Sequence, residues 1–252
     1  MSEPQTRFKL ALHYDGAAFH GWQVQPGQPT VQGAIEEALS RLTGERRTVL
    51  GAGRTDAGVH ATGQVAAVTV PARWTARELA RSLNALLPGT VWVRRAEAVP
   101  EGFHPRLHAV ARSYEYRIGV APLSASPFHR RWCWPLCRPL DPEVAARAAA
   151  LLPGTHEFRA FAKSGQPKRG YRCRVSHARW RPWNDLGAAF EITADRFLHR
   201  MVRYLVGTMV DIALNRREEE DMALLLKGDA AATTSPPAPA AGLFLTRVAY
   251  RT

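Results

Sequence analysis

The feature that most constrains the fold is the alternation of Phe8, Leu10, Leu12 and Tyr14 with Lys9, Ala11 and His13. A period of two over this stretch predicts a strand with one buried face. Comparable short runs recur at residues 64–70, at 91–99 (ended by Pro100), and at 113–120, 174–180, 188–193 and 243–250. Helical patterns lie between them. Thr30 opens one that runs to about Leu42, with Val31, Ile35, Ala38, Leu39 and Leu42 on one side. Thr75 with Glu78 three residues on is a capping-box signature for a helix to about Leu87. Asp141 and Pro142 read as N-cap and first residue of a helix to about Leu152, and a long helix is expected from about Asp195 to Asn215. Hairpin-like strands mixed with helices predict an α+β fold rather than a parallel βαβ array. The two halves share a strand–loop–helix rhythm. We therefore expect two similar α+β subdomains, 1–104 and 105–252, joined through a central, mainly antiparallel sheet flanked by helices. Residues 235–242, rich in Pro and Ala, read as a short extended linker.

Charge narrows the partner. Lys plus Arg number 34 against 22 acidic residues, a formal net charge of +12. Only Lys9, Lys163, Lys168 and Lys227 are lysines, so arginine supplies nearly all of the positive charge. A surplus of this kind predicts a polyanionic partner, because neutralising phosphates releases counterions. Arginine also binds phosphate through two hydrogen bonds and stacks on bases. The run from Lys163 to Arg174, which holds Lys168, Arg169 and Tyr171, fits a phosphate-contacting loop or a merely solvated one. No stretch of about 18 apolar residues is present, and the polar start lacks an apolar signal region; a cytoplasmic protein without membrane association is expected. The three cysteines fit reduced thiols. Cys133 and Cys137, with His129 nearby, have poor spacing for zinc and lack the deaminase pattern, so no metal is expected.

The densest candidate for chemistry is Gly51-Ala52-Gly53-Arg54-Thr55-Asp56-Ala57-Gly58-Val59-His60. Its three glycines allow tight turning and close approach to a ligand, and one carboxylate stands between an arginine and a histidine. The spacing matches neither the dinucleotide-binding nor the P-loop pattern. Two readings remain open on the residues alone: a turn that Asp56 caps, or a site built around Asp56. Tyr114 likewise fits either a strand core shared with Tyr116 or a base-stacking position. In the expected 195–215 helix, Arg196, His199, Arg200 and Arg203 gather opposite an apolar band.

Residues 53–60 followed by Gly63-Gln64-Val65 resemble the signature of bacterial TruA-type tRNA pseudouridine synthases. The likeness runs nearly end to end. It includes Tyr14-Asp15-Gly16, Gly21-Trp22-Gln23, Asn84 with Leu87-Pro88, and Phe103-His104-Pro105-Arg106. It continues through Ala111-Arg112-Ser113-Tyr114, His156-Glu157-Phe158, Phe197-Leu198-His199-Arg200-Met201-Val202-Arg203 and Ala241-Gly242-Leu243-Phe244-Leu245. Val68 departs from it where an aromatic residue is common, and Glu115 where a basic one is.

The resemblance implies an isomerase that converts uridine to pseudouridine in the anticodon stem-loop of tRNA, around positions 38–40, from a basic cleft, without cofactor and as a homodimer. It implies that Asp56 is the catalytic aspartate, Arg203 the arginine paired with it, and Tyr114 the aromatic residue at the target base. Arg54 corresponds to a residue that takes that base out of the stack, and Leu243 to a lining residue of the uracil pocket. His60, Lys168 and Arg169 are further expected substrate contacts.

Overall fold

The computed structural model of this chain describes residues 3–163, 170–228 and 232–251. Among them, ten strands and five α-helices make an α+β fold whose strand pairings are mostly antiparallel. The chain divides into two units, Met1–Val110 with Phe244–Thr252, and Ala111–Leu243. From Phe244 onward the last strand groups with the first unit, where it pairs with the strand His60–Pro71.

In the first unit β1 (Gln5–Tyr14) lies between β3 (His60–Pro71) and β4 (Val91–Val99), antiparallel to both. A two-residue strand, β2 (Leu50–Gly51), adds to β3. The alternating face of β1 does what its period demands: Phe8, Leu10, Leu12 and Tyr14 are all buried. Helix α1 (Val31–Thr43) begins where Thr30 accepts the Gly33 N–H and ends at Gly44. Helix α2 (Ala76–Leu86) carries the capping box, with Thr75 and Glu78 each satisfying the other's backbone N–H. Asn84 then ties α2 to β4. Its amide donates to Val93 O at 2.9 Å and its carbonyl accepts the Val93 N–H at 2.7 Å, as a neighbouring strand would. The last strand, β10 (Leu243–Tyr250), pairs in parallel with β3, setting Phe244 opposite His60 and Leu245 opposite Ala61.

In the second unit β5 (Ala109–Gly119), β9 (Gly187–Ala194), β8 (Arg172–Trp183) and β7 (Gly154–Glu157) follow one another in antiparallel order. A short β6 (Trp134–Pro135) joins β5 in parallel. Asp141 caps α3 (Pro142–Ala150) by accepting the Glu143 and Val144 N–H groups. Helix α4 (Met201–Ala213) is almost wholly buried, and α5 (Glu220–Lys227) follows it.

The expected helix from Asp195 begins six residues late. Asp195 still belongs to the strand edge, with its N–H on Arg174 O and its carboxylate on the Arg174 N–H. Arg200 then adopts φ +62°, a left-handed geometry that no α-helix can include. The 235–242 segment is not a free linker. Ser235 N–H donates to Thr208 Oγ1 and Ala238 N–H to Arg203 O, which seats it along α4. Gly207 permits that seating: a Cβ there would lie 2.1 Å from Pro236 O.

Candidate active site

The Asp56 loop joins β2 to β3 and is gripped from several sides. Thr55 O accepts the Trp22 N–H at 3.1 Å, and the Gly58 N–H donates to Phe19 O at 3.3 Å. Gly21, at φ +93°, passes so close that a Cβ would stand 2.6 Å from Thr55 O, so both its dihedral and its contact require glycine. Asp56 O accepts the Val59 N–H at 3.1 Å and closes the turn. Below the loop, the Tyr14 and Thr55 hydroxyls are 2.8 Å apart. The Gln64 amide nitrogen lies 3.3 Å from the Tyr14 hydroxyl and donates to Gly53 O at 2.9 Å. Tyr14, Thr55 and Gln64 are all buried, while Asp56 is half-buried and Arg54 exposed. The turn thus leaves its carboxylate residue nearer the surface than the residue before it. Burial drives the Tyr14 phenol up to about 12; the hydrogen bonds to Thr55 and Gln64 oppose that shift only in part.

His60, expected at the substrate, stands in the interior at 1% exposure. Its ring stacks on Phe244 with centroids 4.7 Å apart. Its Nδ1 is 3.0 Å from Gly16 N and 3.2 Å from Asp15 Oδ1. A backbone N–H can only donate, so Nδ1 accepts from Gly16, and the Asp15 contact is not an ion pair. Asp15 Oδ1 is itself engaged by the Ala17 N–H. The histidine therefore supports the 15–19 turn, which in turn holds Gly58.

Tyr114, Arg203 and Leu243 belong to the second unit. Tyr114 sits on β5 opposite Ile192, half-buried, with its ring edge-to-face on Phe197 at 4.9 Å. Tyr116, on the same face, is the core member of the pair. It is fully buried, its hydroxyl donates to Pro239 O at 2.7 Å, and burial pushes its phenol well above the usual range. Arg203 on α4 donates through Nε to Ala238 O at 2.7 Å while Arg203 O accepts the Ala238 N–H at 2.9 Å. This reciprocal pair clamps the segment that leads to Leu243, itself buried at the start of β10. The second unit thus brings Arg203, Tyr116 and the 238–243 segment together.

Lys168 and Arg169 lie outside the described residues. Among the described residues, Arg159 lies over the Tyr171 ring at 4.7 Å and Arg196 donates to Gly170 O at 3.0 Å. Cys133, Cys137 and His129 make no metal cradle. The Cys133 thiol has two carbonyl oxygens within reach of its single hydrogen, His129 O at 3.4 Å and Ser124 O at 3.8 Å. Among the described residues no group of three or more His, Cys, Asp or Glu is placed to hold a metal ion. A groove of about 680 Å³ between α1 and the turn from α2 to β4, lined by Phe19, Pro29, Ala34, Glu37 and Pro88, contains none of the candidate residues. The residues that reading by position overlooked are Tyr14 and Gln64 as a polar pair. By period Tyr14 is only an apolar member of its strand face, and nothing in the spacing pairs its hydroxyl with Gln64.

The profile of the tRNA pseudouridine synthase family matches residues 10–106 and 148–251. A protein of Moorella thermoacetica named tRNA pseudouridine synthase A is 42% identical over 244 residues, covering 96% of this chain and 98% of that protein. One of the same name from Chlorobaculum tepidum is 39% identical over 253 residues, covering 99% and 100%. Another, from Myxococcus xanthus, is 40% identical over 246 residues, covering 97% and 92%.

Proposed function

The chain belongs to the tRNA pseudouridine synthase family, enzymes that isomerise uridine to pseudouridine in tRNA, and we propose that it acts on the anticodon stem-loop, around positions 38–40, with Asp56 as its catalytic carboxylate. The observation that carries this reading is the Asp56 turn: the carboxylate residue of the 51–60 run, half-buried, on a backbone held at Thr55 and Gly58 by partners from elsewhere in the first unit.

The chemistry explains the residue types. The bond from uracil N1 to ribose C1′ breaks, the uracil turns, and a bond from C5 to C1′ forms. C5 loses a proton and N1 gains one, so the product is an isomer and no electrons are exchanged with a cofactor. An ionised carboxylate is needed beside the ribose and base. A guanidinium close to a desolvated carboxylate keeps it charged, and that is the role proposed for Arg203. Extracting the base from its stack costs a few kcal/mol. Arg54, exposed before Asp56, is proposed to assist that step. Tyr114 is proposed to return about 1–3 kcal/mol by stacking on the base, and Leu243 to line the uracil pocket. His60 is proposed to hold the loop from behind. Lys168 and Arg169 are proposed to meet phosphates, in keeping with the +12 charge. A cytoplasmic homodimer completes the proposal.

The test uses tRNA carrying [5-³H]uridine, because joining C5 to ribose expels the tritium. Asp56→Asn should reduce release to background while tRNA affinity, which comes mainly from dispersed phosphate contacts, largely persists. Release by Asp56→Asn at the wild-type rate would refute the assignment.

A further inference from the structure

The buried polar chain under the Asp56 loop holds that loop at two points. The Gln64 carbonyl accepts the Val65 N–H at 3.1 Å, which fixes the amide the other way round for its remaining contacts. Its NH₂ group then has two hydrogens for two acceptors, Gly53 O at 2.9 Å and the Tyr14 oxygen at 3.3 Å. The Tyr14 hydroxyl also hydrogen-bonds the Thr55 hydroxyl, at 2.8 Å between oxygens. A continuous hydrogen-bonded chain therefore links Gln64, Tyr14 and Thr55. Gln64 holds the loop at residue 53, and Tyr14 holds it at residue 55. The residues between and after these anchors are Arg54 and Asp56.

Two further observations set this chain apart from ordinary packing. Pairing between β1 and β3 slips at this point: Leu12 faces Gln64, but Tyr14 faces Ala61, so two residues of β3 stand against one of β1. Such a bulge re-aims side chains and is common beside active sites. The three side chains are also polar groups at 0% to 7% exposure, where apolar residues would pack without any need for partners.

We propose that Tyr14 and Gln64 are positioning residues of the synthase, acting through Thr55 and Gly53 to hold Asp56 in the geometry of reaction. The proposal rests on Asp56 being the catalytic carboxylate. Tyr14 does not touch substrate: its ring is buried, beside that of Trp22 at 6.2 Å between centroids. The expected signature is a loss in kcat at constant KM, because phosphate contacts elsewhere bind the tRNA and a carboxylate displaced by a fraction of an ångström slows only the chemical step.

The experiment compares Tyr14→Phe, Thr55→Val, Thr55→Ser and the Tyr14→Phe/Thr55→Val double variant by tritium release, tRNA affinity and thermal midpoint. Tyr14→Phe and Thr55→Val should each lower kcat about tenfold or more with KM and tRNA affinity unchanged. Thr55→Ser, which keeps the oxygen, should recover most of the rate lost in Thr55→Val. The double variant should be no slower than its slower parent, because both changes break one hydrogen bond. Wild-type kcat in folded Tyr14→Phe would overturn the proposal. So would a loss that tracks only the folded fraction, a loss carried by KM, or multiplicative effects in the double variant. If Tyr14→Phe does not fold, the Thr55→Val and Thr55→Ser pair decides alone. Asp56→Asn run alongside separates the two readings: turnover by that variant refutes the function, whereas an inert Asp56→Asn with a fully active Tyr14→Phe refutes only the positioning chain.

Discussion

Gly207→Ala sets two effects of opposite sign against each other. Gly207 lies inside α4, where replacing glycine by alanine ordinarily stabilises a helix by about 1 kcal/mol. Here the new Cβ would sit 2.1 Å from Pro236 O and 3.4 Å from Ala238 N. Relief requires the 236–238 backbone to retreat by roughly an ångström, since real Cβ atoms essentially never stand within 3.0 Å of another heavy atom. Overpacking of this kind costs about 1–3 kcal/mol. The retreat also strains the Ala238 N–H to Arg203 O bond, whose loss costs about 0.5–1.5 kcal/mol. The net is a destabilisation of about 2 kcal/mol, which for a chain of this size lowers the thermal midpoint by about 4–8 °C. Arg203 Nε holds the same Ala238 through its carbonyl, so tritium release should fall more than the folded fraction does. Differential scanning calorimetry beside the tritium assay reads both quantities. A midpoint equal to or above wild type would mean that helix propensity wins, and would refute the account of the 235–242 segment as packed against α4.

Two solution measurements follow from the burial of titratable groups. Cys137 is exposed, while burial pushes the Cys133 and Cys173 thiols up to about 11, so at pH 8 a disulfide reagent should titrate one thiol quickly and the other two only on unfolding; three fast thiols would contradict this. The Tyr14 phenol, held near 12 in the folded chain against an ordinary value of 10, binds its proton more tightly folded than unfolded. Its contribution to stability is therefore complete below pH 10 and is lost as pH rises through 12. Urea midpoints across that range should decline less steeply in Tyr14→Phe than in wild type, and equal slopes would count against the buried phenol.

Much of the local structure could be read from neighbouring residues. The alternation from Phe8 to Tyr14 is β1, the Thr75–Glu78 pair starts α2, and Asp141 with Pro142 starts α3. These features depend on residues within a turn of one another, and the free energy of a cap or a half-buried strand face is set at that range. The candidate carboxylate was legible for a similar reason: Arg54, Asp56 and the glycines around them are contiguous, so their chemistry needs no fold to assemble it. Other features were settled at long range. Asp195 is held by Arg174 on a neighbouring strand, so the helix that its composition suits waits until Met201. His60 resembles a ligand-facing histidine in its motif, yet Gly16 and Phe244, from opposite ends of the chain, bury it. Tyr14 belongs to the apolar face of its strand by periodicity, and only the folded chain brings Gln64, across a bulge, and Thr55, from the loop, to its hydroxyl. Spacing along the chain determines which face of an element a side chain occupies. Which polar groups wait on the other side of that face is decided by segments that arrive from elsewhere, because desolvation acts on whatever is adjacent in space, whatever its distance in sequence.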